Sequence, residues 1–448
     1  MMKLSYLIPG LLLCAASISA QNKQWTLKEC IDYAIDNNID VQQRELETQN
    51  QEIEVNTAQM SRLPNLNANL GQQFGFGRSQ DRDNVMVDNS SSMSSFNVQT
   101  SVPVFTGFRI PNQIKAKKLD LAASIEDLKK AKEDISLNIT SYYLQVLFYK
   151  ELLYIAQQQL ELTQVQLDQT TKLVENGKTA ISEVYQVQAQ LAKDELTRTE
   201  SGNNVMLALL DLSQLLNLTD EAGFDIESPD ITQLFLSDME QLVTPQSAYE
   251  YSLENRPAIQ AAKFRLESSY KSLNIAKSQY YPSLNFSAGY SNNYYYNYNL
   301  PEGVTNASFK NQLKNNGSES LGLTLSIPIF NRFSVRNQVR QSKLSIESQK
   351  LQLLNAKQTL YKEIQQAYYN AYASKDKFKS AEKAVEAARI SFEFEETKYT
   401  NGRSTFLDYT NARTLLERSR AEEAQAKYEY IFRTKILDFY NGRPLYVD

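Results

Sequence analysis

Apolar and polar residues alternate with period two in four separate stretches of the chain, the pattern of a strand with one apolar face. In NLNANLGQQFGFG, Leu66, Ala68, Leu70, Phe74 and Phe76 fall on one side, opposite Asn65, Asn67, Asn69, Gly71, Gln73 and Gly75. In SFNVQTSVPVF, Phe96, Val98, Thr100, Val102 and Val104 oppose Asn97, Gln99 and Ser101. The third stretch sets Leu284, Phe286, Ala288 and Tyr290 against Asn285, Ser287, Gly289 and Ser291. The fourth sets Leu321, Leu323, Leu325, Ile327 and Ile329 against Gly322, Thr324 and Ser326. The spacing predicts strands over 64–78, 95–105, 283–296 and 320–330, with polar loops over 79–94 and 297–319. A half-buried sheet in a soluble domain would alternate in the same way. Runs of about 10 residues, an uncharged opposite face and the aromatic cluster NYYYNYN over 293–299 favour strands that cross a bilayer.

Behind each second strand the period lengthens to seven. Ile139, Val146, Leu153, Leu160, Leu167 and Val174 form one unbroken series; Ile364, Ala371, Phe378, Val385, Phe392 and Tyr399 form the other. Sustained heptads predict long helices in coiled-coil packing. A helix over 112–175 would be about 96 Å long at 1.5 Å per residue, more than any globular core needs. Asn176-Gly177 and Asn401-Gly402 supply left-handed stops, and a new helical pattern starts a few residues later. The result is a helical hairpin in each half, over 112–218 and 334–440.

The halves are copies. SVPVFTGFRIPNQI, from Ser101, returns as SIPIFNRFSVRNQV, from Ser326, with six of the fourteen positions identical. Proline also ends a helix before each strand pair, in RLPNLN and YYPSLN. Pro103 and Pro328 each lack a donor, which predicts a bend or bulge beside them. The organisation expected is a first repeat over 21–218, a connecting segment over 219–246 and a second repeat over 247–448. Residues 1–20, with Lys3 ahead of an apolar run and small residues up to Ala20, read as a secretory signal peptide. Leu13 stands where a small residue would precede a lipidated Cys14, which argues against a lipoprotein. Cleavage near Ala20 leaves Cys30 alone, so no internal disulfide can form.

Composition narrows the chemistry. With no histidine among 448 residues, the usual general base and the commonest metal ligand are missing. One mature cysteine excludes thiolate metal clusters, and no phosphate-binding or nucleotide-binding motif is present. Neither an enzyme nor a cofactor is expected. The net charge of −5 argues against a nucleic-acid partner. Four lipid-facing strands cannot close a barrel, and an open edge is not tolerated in lipid, so the geometry calls for about three copies.

In their order, spacing and duplication, several segments resemble the outer membrane factor family, the TolC-like efflux and secretion ducts. They are the opening WTLKECIDYAIDNN, the junctions RLPNLN and YYPSLN, the segments VPVFTGF and IPIFNRF, and the turns NGKTAISEV and NGRSTFLDY. The resemblance implies a mainly α, internally duplicated chain with membrane β-structure. Four strands per chain would contribute to a 12-stranded barrel of a homotrimer in the outer membrane, continued by a long periplasmic α-helical barrel. It further implies a passive exit duct of a tripartite efflux or type I secretion system. The implied partners are outer-membrane lipid, a periplasmic adaptor (membrane fusion protein) and an inner-membrane transporter. The competing expectation is an exported structural or adhesive coiled-coil protein without a pore.

Carried over residue by residue, the family's periplasmic gate places Asp408 at a ring aspartate and Glu183 at the matching carboxylate of the first repeat. Tyr399 falls at the tyrosine that partners it. Two positions depart from the pattern. Asn411 stands where a second ring aspartate is expected, and Ser404 stands at the gate arginine, with Arg403 one residue early. The turn residues Asn176, Gly177, Asn401 and Gly402 fall where the adaptor would dock. Plainer readings compete: Thr405 and Asp408 have capping-box spacing, Ala180 takes the cap position before Glu183, and Tyr399 belongs to the heptad series.

Overall fold

The computed structural model describes residues 24–80, 84–218, 223–228 and 243–445. The leader expected over 1–20 lies outside the described residues, as does most of the connecting segment expected over 219–246.

Chain order begins with β1 (Gln24–Trp25) and α1 (Leu27–Asn37). The α1 entry is a reciprocal cap: Thr26 Oγ1 accepts from the Glu29 N–H and Glu29 Oε2 accepts from the Thr26 N–H, both at 3.1 Å. Next come α2 (Ile39–Met60), β2 (Asn65–Gly75), β3 (Arg78–Gln80), β4 (Met86–Asp88) and β5 (Ser91–Phe105). The first helical hairpin is α3 (Arg109–Glu175) and α4 (Ile181–Leu215), followed by β6 (Asp225–Ile226). The second half holds α5 (Pro245–Asn255), α6 (Pro257–Ser278), β7 (Ser283–Asn297), α7 (Phe309–Asn315) and β8 (Ser318–Ser326). It closes with α8 (Ser334–Thr400) and α9 (Phe406–Tyr440). Both outgoing helices have 67 residues and both returning helices have 35, so the two hairpins match to the residue. At 1.5 Å per residue each outgoing helix is about 100 Å long.

Two compact units cut across the repeats, each drawing on both. One comprises Gln42–Ala131 and Glu250–Lys362 and holds a four-stranded antiparallel sheet in the order β2-β5-β7-β8. Directly opposed residues share a face. The rung Leu66–Thr100–Ala288–Leu321 lies on the apolar face, and the next rung, Asn67–Gln99–Gly289–Ser320, lies on the polar one. Leu66, Leu70 and Leu321 are 75%, 78% and 80% exposed, so this face is not a soluble core. Glu319 is the single charged residue in the four strands.

The strand ends differ from the expected bounds. The ladder of β8 stops at Ser326 rather than 330, because its partner β7 begins at Ser283 and Pro328 has no N–H to offer. Beside Pro103 the β5–β7 register shifts, with Pro103 opposite Asn285 but Phe105 opposite Leu284. β2 stops at Gly75, not 78. The first loop is displaced to 76–90, since β5 begins at Ser91, and the β3–β4 pair orders part of it. Helix α7 orders part of the second loop.

Where strand becomes helix, two consecutive residues are left-handed: Gly107 and Phe108 at φ of 61° and 66°, and Arg332 and Phe333 at 52° and 61°. Each junction is braced by an edge-to-face aromatic pair, Phe105–Phe108 at 5.4 Å and Phe330–Phe333 at 5.7 Å. The left-handed pair lets α3 start at Arg109, three residues before the expected 112.

The other unit comprises the described residues up to Val41, Lys132–Tyr249 and those from Glu363 onward. Its core is the heptad seam, with Ile139, Val146, Ile364 and Ala371 fully buried. Tyr143 Oη donates to the Glu227 and Trp25 carbonyls at 2.7 and 3.2 Å, and Lys150 Nζ to the Ile226 carbonyl at 2.8 Å. These bonds fasten the parallel β1–β6 pair onto α3. Among the described residues no helix is long and apolar enough to cross a membrane, which says nothing of a β-barrel.

Candidate functional site

The turns of both helical hairpins are built alike. Gly177 and Gly402 adopt φ of 70° and 68°. Behind them Lys178 N–H reaches the Leu173 carbonyl at 2.9 Å, and Arg403 N–H reaches the Lys398 carbonyl at 2.8 Å. Gly177 N–H bonds the Val174 carbonyl and Gly402 N–H the Tyr399 carbonyl, both at 2.9 Å. This double bond pattern with a left-handed glycine is a Schellman stop. Asn176 and Asn401 add side-chain bonds to the Lys172 and Thr397 carbonyls at 2.6 and 2.7 Å.

The returning helices start at Ile181 and Phe406, so Glu183 and Asp408 occupy the same third helical position. Their surroundings divide their roles. Thr405 Oγ1 accepts from the Asp408 N–H at 3.2 Å and donates to Asp408 Oδ2 at 2.6 Å. Asp408 is thus held at its own helix start, where a carboxylate also suits the positive end of the helix dipole. The reciprocal bond to the Thr405 N–H, which a full capping box needs, is not made among the described residues. Ala180 offers Glu183 no side-chain cap, and Glu183 Oε2 instead accepts from Tyr399 Oη at 3.3 Å. That bond joins the first hairpin to the second.

Tyr399 stacks on Tyr409 at 4.9 Å and 27° and packs against the buried cluster of Ala388, Phe392, Tyr409 and Leu416. Burial first, and then the Glu183 charge, push its phenol up to about 12. Burial likewise pushes Tyr409 up to about 12, against the Arg413 charge. Tyr399 is therefore a neutral donor at any ordinary pH.

Asp408, Asn411 and Arg403 line one open groove of about 710 Å³, together with Glu395, Lys398 and Thr405. All three are exposed, and Arg403 makes no ion pair among the described residues. Ser404, at the expected arginine position, bonds Glu395; Ser404 and Lys398 hold that carboxyl below its usual range.

A buried ionic cluster was not anticipated from the sequence. Arg413 Nη2 meets Asp194 Oδ2 at 2.6 Å and donates to Thr163 Oγ1 at 2.6 Å. Arg413 Nε donates to Glu417 Oε1 at 2.8 Å, and Gln190 Nε2 donates to Asp194 Oδ1 at 2.8 Å. Burial pushes the Glu417 carboxyl up, with Arg413 opposing. The cluster joins α3, α4 and α9. Only the assembled seam marks it: Asp194 lies seven residues beyond the buried Val187, and a charge at such a core position requires a buried partner.

Matched long helical hairpins and a four-stranded sheet with a bare apolar face define the subunit class of the outer-membrane export ducts. The family model described as "Outer membrane efflux protein" matches residues 30–218 and 248–439. The chain belongs to the outer membrane efflux protein family, and is an exit-duct protein of the outer membrane. Outer membrane protein TolC of Escherichia coli (strain K12) is 25% identical over 387 residues, covering 84% of this chain and 74% of its own length. Toxin and drug export protein A of Aggregatibacter actinomycetemcomitans is 22% identical over 81% of this chain and 77% of its own length. In fold, the outer membrane protein VceC of Vibrio cholerae matches 94% of this chain and 97% of its own, with a TM-score of 0.74 at 16% identity.

Proposed function

We propose that three copies of the chain join their sheets edge to edge as a 12-stranded barrel in the outer membrane. Their helical hairpins would continue it as an α-helical barrel in the periplasm, making a passive exit duct for efflux or type I secretion. The carrying observation is the sheet itself: among the described residues β2 and β8 each keep a free edge while the apolar face is bare. In lipid an open edge leaves backbone groups unsatisfied, and membrane barrels begin at about eight strands. Twelve strands satisfy both requirements and leave room for water. Tyr399, Glu183, Asp408, Asn411 and Arg403 form the gate region in this reading, and the turns at Asn176-Gly177 and Asn401-Gly402 meet a periplasmic adaptor that links to an inner-membrane transporter. The names of the similar proteins support export as the task.

Crosslinking of outer-membrane fractions tests the proposal, with a trimer band and a co-isolated adaptor expected. A monomer in the soluble fraction would sink it.

A further inference from the structure

Beyond Ala288 the apolar face of β7 changes character, because Tyr290, Asn292, Tyr294 and Tyr296 continue the side begun by Leu284 and Phe286. β8 pairs with β7 only from Ser283 to Ser291, so no strand among the described residues covers that edge of β7 over 293–297. Three side-chain amides stand in for one. Asn316 Nδ2 donates to the Asn293 carbonyl at 2.8 Å. Gln312 accepts from the Tyr295 N–H at 2.9 Å and donates to its carbonyl at 2.8 Å. Asn306 accepts from the Asn297 N–H at 2.9 Å and donates to its carbonyl at 2.8 Å. Each amide supplies what a neighbouring strand would, and an otherwise open edge is closed.

These bonds fasten α7 to the sheet on a definite side. Phe309 packs edge-on against Tyr294 at 5.1 Å, and Asn292 Nδ2 donates to the Leu313 carbonyl at 2.7 Å. Tyr294 and Asn292 both belong to the apolar face, so α7 leans over that face. Lys310 and Lys314, four residues apart, share one side of the helix. Both are exposed and make no ion pair among the described residues. The carboxylates in this part of the chain, Glu302 in the same loop and Glu319 opposite Tyr290, engage neither lysine.

Tyrosines on a lipid-facing strand sit at the headgroup level, and cations beside them meet the phosphate layer. We propose that Lys310 and Lys314 dock onto the phosphates of phosphorylated glycolipid in the outer leaflet, with α7 as a fixed interfacial anchor. This rests on the membrane-barrel reading above. The amide clamps give the lysines a set height, so the contact is a site and not a diffuse charge.

Native mass spectrometry of the full-length protein in mild detergent, titrated with lipid A and with dephosphorylated lipid A, tests the inference. The phosphorylated form should bind about tenfold more tightly, and K310Q/K314Q should lose that preference. The same variant should still fractionate with the outer membrane as the same oligomer, because neither lysine takes part in the amide clamps. Equal binding of the two lipids, or an unchanged preference in K310Q/K314Q, overturns the lysine site and leaves the duct reading standing. Wild-type protein absent from the membrane fraction overturns both.

Discussion

Arg413 Nη2 stands 2.6 Å from Asp194 Oδ2, with the two side chains only 3% and 6% exposed. The pair ties the returning helix of one repeat to that of the other in a dry coiled-coil seam. Removing one partner leaves a buried charge unmatched, which costs roughly 3–5 kcal/mol, whereas replacing both by apolar groups is often close to neutral. Arg413→Leu and Asp194→Leu should each lower the melting temperature of the purified protein sharply. The double variant should recover part of the loss, because Glu417 still loses Arg413, and if it falls as far as the single variants the two residues do not act as a unit.

Tyr399→Phe removes the hydroxyl that reaches Glu183. A hydrogen bond to a charged group contributes about 1.5 kcal/mol, roughly tenfold in a closed-to-open ratio. In planar bilayers the wild type should show small, largely closed conductance, and Tyr399→Phe or Asp408→Ala should raise it. Thr405→Ala, which strips the cap, should cost about 1 kcal/mol of stability. Unchanged conductance in both Tyr399→Phe and Asp408→Ala removes the gate assignment.

The phenol of Tyr399 is pushed up to about 12, above the value near 10 of an unfolded tyrosine. A group whose folded value is raised gives stability that is complete below the unfolded value and is lost as pH rises through the folded one. The melting temperature should therefore owe nothing to this group's titration between pH 7 and 9, and should fall between about pH 10 and 12. Tyr399→Phe should remove part of the alkaline slope; an identical slope in the variant would show that Tyr399 titrates as an exposed tyrosine.

Gly107 and Arg332 occupy equivalent left-handed positions but differ in room. A β-carbon at Gly107 would collide with the Ser278 carbonyl and come within 2.9 Å of Tyr281 Cβ. Gly107→Ala should lower the yield of folded protein in the outer membrane. Arg332→Gly should relieve about 1 kcal/mol of backbone strain and raise the melting temperature. A gain from Gly107→Ala would mean the junction is not sterically tight.

Much of this molecule is legible in local pattern. The two faces of each strand follow from alternation, the seam from Ile139 and Ile364 onward follows from the heptads, and the Asn-Gly turns announce the stops. The resemblance named Tyr399 and Glu183 as gate positions, but nothing in the spacing of two residues 216 apart points to the bond between them. Asp194 and Arg413 read as ordinary helix charges until the seam is assembled around them.

The chain's own order of residues determined helix and strand period, the punctuation between elements and the equality of the two halves. These depend on neighbours within a turn or a pleat, so sequence carries them directly. Only the tertiary structure decided that β5 lies beside β7, that β8 stops at Ser326, and that Glu183 turns to another hairpin while Asp408 stays at its own cap. Each of those depends on which distant surface is present to supply a hydrogen bond or exclude water, and no local pattern records the distant partner.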